Sequence, residues 1–106
     1  MRGELARLEF SAPVTEWRGP APFYFLALPE DCWGEVRFAA RQASYGWGCV
    51  PVEATIGAID FTTSLIPRNG GFLLPLKVAV RKAAAIDLSQ SVTATIRIYA
   101  PGPKFG

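Results

Sequence analysis

The sequence predicts a mainly β fold: one small closed or nearly closed β-barrel with two short helices. Three observations carry that expectation. Apolar and polar residues alternate along several segments, the period of strands with one buried face. A unit of apolar strand, proline, short helix and alternating strand occurs twice. An Asn-Gly turn marks a tight hairpin between the two copies. The first copy runs Phe25-Leu26-Ala27-Leu28-Pro29, a helical stretch to about residue 43, then Val50–Ile56. The second runs Phe72-Leu73-Leu74-Pro75, a helical stretch to about residue 85, then residues 92–98. A pseudo-duplicated strand–helix–strand unit can close into one barrel.

The 106 residues, 50% of them apolar, suit one domain with a modest core, expected over residues 1–100, with 101–106 a flexible C-terminal tail. Charged residues make up 19% and mean hydropathy is +0.20, too apolar for a disordered segment. No apolar run approaches the roughly 20 residues of a membrane helix, and Glu4 and Arg7 interrupt any leader-like apolar core. The expectation is a cytoplasmic protein without a membrane partner. Cys32 and Cys49 are the only cysteines and read as small buried hydrophobes, not as a disulfide framework.

From Arg7 to Thr15, Leu8, Phe10, Ala12 and Val14 alternate with Arg7, Glu9, Ser11, Pro13 and Thr15 and predict a half-buried strand, with Pro13 at an edge or bulge. Trp17-Arg18-Gly19-Pro20 reads as a turn, and residues 22–28 are apolar on both faces, as in a covered strand. Pro29 suits a first helical position; Glu30 and Asp31 follow early and Arg37 and Arg41 late, as the helix dipole favours. Trp33, Val36, Ala40 and Ala43 form its apolar stripe. Tyr45-Gly46-Trp47-Gly48 follows as a turn. Val50, Val52, Ala54 and Ile56 make the next alternating strand, continued beyond Gly57-Ala58 by Ile59, Phe61, Thr63 and Leu65. Arg68-Asn69-Gly70-Gly71 is the hairpin. After Pro75 the helix formers of residues 76–85 predict a helix with Leu76, Val80 and Ala83 buried and Lys77 and Arg81 outside. Val92, Ala94, Ile96 and Ile98 form the last strand.

Several chemistries are excluded or unsupported. The chain has no histidine, which removes Ser-His-Asp and Cys-His arrangements and the commonest metal ligand. No CxxC spacing or nucleotide-binding glycine fingerprint occurs, so no metal and no cofactor are expected. Glu30 and Asp31 are neighbours pointing apart, not an acid/base pair. Net charge is only +2, but beyond Leu65 six basic residues (Arg68, Lys77, Arg81, Lys82, Arg97, Lys104) face Asp87 alone. A barrel interleaves its strands, so this asymmetry is not read as a nucleic-acid surface.

Arg68, Lys77, Arg81 and Lys82 would converge if the hairpin tip lay over the second helix, a cluster suited to an anion. Trp47, between two glycines, would plug the barrel or face a ligand.

These residues also carry a resemblance. Gly19-Pro20-Ala21-Pro22-Phe23-Tyr24-Phe25, Leu28-Pro29-Glu30, Gly46-Trp47-Gly48-Cys49-Val50-Pro51-Val52, Thr63-Ser64-Leu65-Ile66-Pro67 and Gly70-Gly71-Phe72-Leu73-Leu74-Pro75-Leu76-Lys77 resemble the bacterial and archaeal proteins grouped as domain of unknown function 1905. The likeness spans residues 8–98 and implies a small β-barrel with no assigned reaction. The family usually has a small residue where Cys49 stands, which speaks against a special role for that thiol. A shorter pattern, strand-Leu-Pro followed by Arg-Lys on a helix, resembles the half-barrel unit of AbrB-type transcription regulators.

Three functions stay open at this point. The leading expectation is a non-catalytic binding or accessory module for a small anionic ligand or acidic partner, contacted through Trp47, Arg68, Lys77, Arg81 and Lys82. The second is a nucleic-acid-binding barrel, and the third an enzyme using carboxylate, lysine or thiol.

Overall fold

Inward-facing apolar residues at every second position need a closed surface to bury them, and six antiparallel strands supply it. The computed structural model describes residues 3–43 and 48–101. In chain order the elements are β1 (Glu4–Trp17), β2 (Phe23–Ala27), a 3-10 turn (Glu30–Cys32), α1 (Trp33–Ala43), β3 (Val50–Ile56), β4 (Ile59–Arg68), β5 (Gly71–Pro75), α2 (Val78–Ala83) and β6 (Ser91–Tyr99). The strands close in the order β1-β2-β5-β4-β3-β6. No described helix is long and apolar enough to cross a membrane.

The ring has an internal symmetry. Exchanging β1 with β4, β2 with β5 and β3 with β6 gives the same ring read in the opposite direction. The backbone bonds obey it in detail. Leu28 N–H donates to Phe72 C=O at 3.0 Å, and Leu76 N–H donates to Tyr24 C=O at 2.9 Å. Leu26 pairs with Leu74, flanked by the Phe25–Pro75 and Ala27–Leu73 pairs. Ala54 pairs with Ile96, flanked by Glu53–Arg97 and Thr55–Thr95. The duplication therefore runs through all six strands, as a pseudo-two-fold axis passing between β2 and β5 and between β3 and β6.

This register corrects the way the sequence suggests aligning the two copies. Pro29 and Pro75 are not equivalent. Pro75 closes β5 and is buried, whereas the counterpart of Pro29 is Lys77. Both residues precede their helices in the same extended conformation, Pro29 at φ −58°, ψ 150° and Lys77 at φ −70°, ψ 159°.

The Asn-Gly signal holds. Arg68 pairs with Gly71 across Asn69 (φ 51°) and Gly70 (φ 82°), the two positive φ values that a two-residue hairpin turn requires. The strand interiors also follow the alternation: Leu8, Phe10 and Ala12 on β1, Val50, Val52, Ala54 and Ile56 on β3, and Val92, Ala94, Ile96 and Ile98 on β6 are all buried in one core. The fully buried Leu26, Leu65, Leu74, Ile96 and Ile98 occupy its centre.

Because β2 and β5 run antiparallel, their C-terminal ends lie at opposite ends of the barrel, and the helices that follow cap opposite ends. The caps differ. α1 has 11 residues and buries Val36, Ala39 and Ala43, with Trp33 and Ala40 half-buried, close to the expected stripe with Ala39 added. α2 has only 6 residues and buries none of them. Here the expected stripe fails: Leu76 is buried ahead of the helix, Val80 is half-buried and Ala83 is exposed. Ala84 and Ile86, beyond the helix, pack on the core instead.

The cause is an early stop. Ala85 takes a positive φ of 50°, Ala85 N–H donates to Lys82 C=O and Ile86 N–H to Arg81 C=O. That pair of bonds is a Schellman cap, which turns the chain before a second helical turn can reach the core.

Candidate functional site

The short α2 leaves a groove of about 790 Å³ where it crosses the barrel. The walls come from three sources. The start of β2 gives Phe23 and Tyr24, the outer face of β4 gives Thr62, Ser64 and Ile66, and the β5–α2 junction gives Leu76, Lys77, Val78 and Arg81. Lys77 and Arg81 lie four residues apart, so both reach the same side of the helix and line the groove together. No Asp or Glu is among the lining residues.

Arg81 is held by two contacts. Its Nε donates to Leu76 C=O at 3.2 Å, and its guanidinium lies over the Tyr24 ring with 4.2 Å from Cζ to the ring centroid. A cation over an aromatic face is worth about 0.5–2 kcal/mol, more as water is excluded. These contacts occupy Nε and one face, while neither terminal nitrogen has a protein hydrogen-bond partner among the described residues. Lys77 is exposed and makes no ion pair among the described residues.

Tyr24 is itself anchored. Its hydroxyl donates to Glu16 Oε2 at 2.9 Å across the Glu16–Tyr24 strand pair, and Arg18 Nε donates to Glu16 Oε1 at 3.1 Å. The Tyr24 bond, with Arg18 behind it, holds the Glu16 carboxyl below its ordinary range; accepting that bond, Glu16 raises the Tyr24 phenol above its own. A charged carboxylate thus fixes the ring on which Arg81 rests.

The opposite end of the barrel carries the pseudo-symmetric site, and its chemistry is reversed. The position equivalent to Arg81 is Trp33, whose Nε1 donates to Leu28 C=O at 2.9 Å, the counterpart of the Arg81–Leu76 bond. Phe72 replaces Tyr24, and Pro67, paired with Phe72, replaces Glu16. The indole packs directly on Gly71: a Cβ there would fall 2.5 Å from two of its ring carbons. The Arg37 guanidinium lies over the indole, 5.6 Å from its ring centroid, and donates to Gly70 C=O, tying α1 to the hairpin. The groove beside this plug is about 420 Å³ and is lined by Trp17, Trp33, Arg68 and Phe72 among others.

The expected cluster therefore divides. Lys77 and Arg81 share one groove. Arg68 does not join them, because the hairpin tip rests on α1, not α2; β5 runs five residues, about 17 Å, from that tip to the start of the second-helix segment. Lys82 is exposed on α2 and lines neither groove. Trp47, with Tyr45 and Gly46, lies outside the described residues. Sequence reasoning missed Tyr24, read as one residue of a covered strand, and Glu16, left between a strand expected to end at Thr15 and a turn expected from Trp17, whereas β1 runs on to Trp17. Aligning the copies on Pro29 and Lys77 would have found the Trp33–Arg81 equivalence.

Comparison with known proteins places the chain in a family and adds no activity. No curated protein matches the chain. The model of a family described as domain of unknown function (DUF1905) matches residues 10–96, a stretch that takes in both ends of the barrel and every residue of the Glu16–Tyr24–Arg81 group. On that match the chain belongs to the DUF1905 family.

Proposed function

We propose that this protein is a non-catalytic binding domain whose groove beside α2 takes a small anion. The observation that carries the reading is the pair Lys77 and Arg81 facing one groove that contributes no carboxylate. Two cations without a built-in counter-charge favour an anionic occupant, and an arginine anchored through Nε and one face offers its terminal nitrogens as a fork. The lining holds hydroxyls and one amine but no thiol or carboxylate, and the chain has no imidazole. A groove so furnished can hold an anion through its two cations and carries no imidazole, thiol or carboxylate.

The nucleic-acid reading gains less support. Phosphate tracking needs basic residues along one continuous face, whereas Arg68 belongs to the α1 end and Lys77 and Arg81 to the α2 end.

The reading is tested by two-dimensional amide NMR titration with a panel of organic and inorganic anions. Saturable shifts concentrated at Tyr24, Lys77, Val78 and Arg81, lost in Lys77→Glu, are the expected outcome. An unresponsive groove, or equal shifts around Arg68, would contradict it.

A further inference from the structure

The groove has a second property that a site for a bare inorganic ion does not need: it is apolar on both rims. Val78 on α2 is 53% exposed and Ile66 on β4 is 36% exposed, two of the few large apolar side chains open to water, and both line this groove. Phe23 and Pro22 continue the apolar wall at the start of β2, and Phe23 is backed by Phe25, its ring centroid 5.3 Å away. Scattered apolar residues on a surface are ordinary, but apolar residues gathered around one concavity beside a cationic pair mark a ligand site. The volume points the same way, since about 790 Å³ falls in the range of sites for small organic molecules, far above the roughly 30 Å³ share of a single water.

We infer that the occupant is an amphipathic organic anion: an oxyanion head, carboxylate or phosphate monoester, joined to an aryl or short alkyl body. The inference rests on the small-anion reading of the same groove and narrows it to a ligand class. The head meets the terminal nitrogens of Arg81 and the ammonium of Lys77. The body lies between Val78 and Ile66 and against Phe23, removing their apolar surface from water. Tyr24 and Glu16 act as positioning residues. They hold the ring that sets the direction of the Arg81 fork and touch the ligand only through it.

Calorimetric titration of the whole chain with phenylacetate, phenyl phosphate, acetate, inorganic phosphate and benzyl alcohol tests this, with amide NMR to locate each ligand. Phenylacetate, phenyl phosphate or both should bind at the groove at least about tenfold more tightly than acetate and inorganic phosphate, since burying an aryl body is worth more than that factor. Benzyl alcohol, which lacks the charge, should bind more weakly than either. The ratio of the two aryl anions then tells which head the fork prefers. Arg81→Lys keeps the charge but loses the fork and should weaken the aryl anions about tenfold. Lys77→Ala, at an exposed position outside the Tyr24 stack, should weaken them with the fold intact. If acetate or inorganic phosphate binds the groove as tightly as the aryl anions, the amphipathic class is overturned while the small-anion reading stands. If benzyl alcohol binds as tightly as they do, the anionic head is overturned and the small-anion reading with it. If none of the five binds, both are overturned.

Discussion

The two ends of this barrel share one backbone plan and carry opposite chemistry. At the α1 end the group is Pro67, Phe72 and Trp33; at the α2 end the equivalent positions hold Glu16, Tyr24 and Arg81. Both residues at the helix position donate to the equivalent carbonyl, Trp33 to Leu28 and Arg81 to Leu76, so the two ends share the bond and differ in the side chain that makes it. Where the donor is an indole, the end is plugged and the adjoining helix buries three residues. Where it is a guanidinium, the helix is short, buries nothing and leaves a cationic groove. A pseudo-symmetric scaffold can thus carry a packed aromatic at one end and an open cationic groove at the other by changing three side chains around an equivalent bond.

The comparison can be broken first at its axis. Leu26 and Leu74 pair across the pseudo-two-fold, and both have 0% exposure. Leu→Ala at either should cost about 3–5 kcal/mol, because the cavity left at the barrel centre cannot collapse. The two losses, measured by urea unfolding, should agree closely; a gap of several kcal/mol would mean that the axis is an accident of strand order.

A smaller effect separates the ends. Gly71→Ala would drive a methyl group into the Trp33 ring at 2.5 Å and should cost about 1–3 kcal/mol. Its pseudo-equivalent, Phe23, carries a large side chain, and the position equivalent to Trp33 is Arg81, which lies over Tyr24 instead. Pairing Gly71→Ala with Trp33→Leu should recover part of the loss. An undiminished loss in the double variant would show that the glycine is needed for its backbone alone.

The pH response of the Glu16–Tyr24 pair is the smallest effect and belongs to the α2 end. The folded carboxyl of Glu16 is depressed below its ordinary value of 4.5, so its contribution to stability is present above that pH and fades as pH falls through the folded value. Tyr24 is raised above 10.0, so its contribution is present below that pH and is lost as pH climbs through the folded value. Carbon NMR titration should place the Glu16 midpoint below 4.5 in the native chain and return it toward that value in Tyr24→Phe. An unmoved midpoint would remove the Glu16–Tyr24 bond from the account of how Arg81 is held.

Much of the barrel was legible in the sequence, because strand alternation and the Asn69-Gly70 turn are local signals. The site was legible only in part. Lys77 and Arg81 share a helix face by spacing alone, and the sequence pairs them correctly. Arg68 was grouped with them because the chain places the hairpin shortly before α2, whereas antiparallel closure sends the two to opposite ends of β5. The α2 stripe misled for a different reason: helix-forming residues continue to Ala85, but the positive φ there ends the helix, and Ala84 and Ile86, not Ala83, pack on the core. The prolines at 29 and 75 invited a false register, since a residue type repeated near a helix start is a weaker marker than the cap conformation shared by Pro29 and Lys77.

Equivalent positions hold a packed indole at the α1 end and, at the α2 end, the guanidinium that we propose as a ligand contact. Urea unfolding of Trp33→Ala beside Arg81→Ala tests this central claim most directly. Trp33→Ala should cost about 2–4 kcal/mol through lost packing on Gly71 and the core. Arg81→Ala should cost about 1 kcal/mol or less, the worth of one hydrogen bond and a partly solvated ring contact. An Arg81→Ala loss equal to or greater than that of Trp33→Ala would contradict the claim and make Arg81 a second plug.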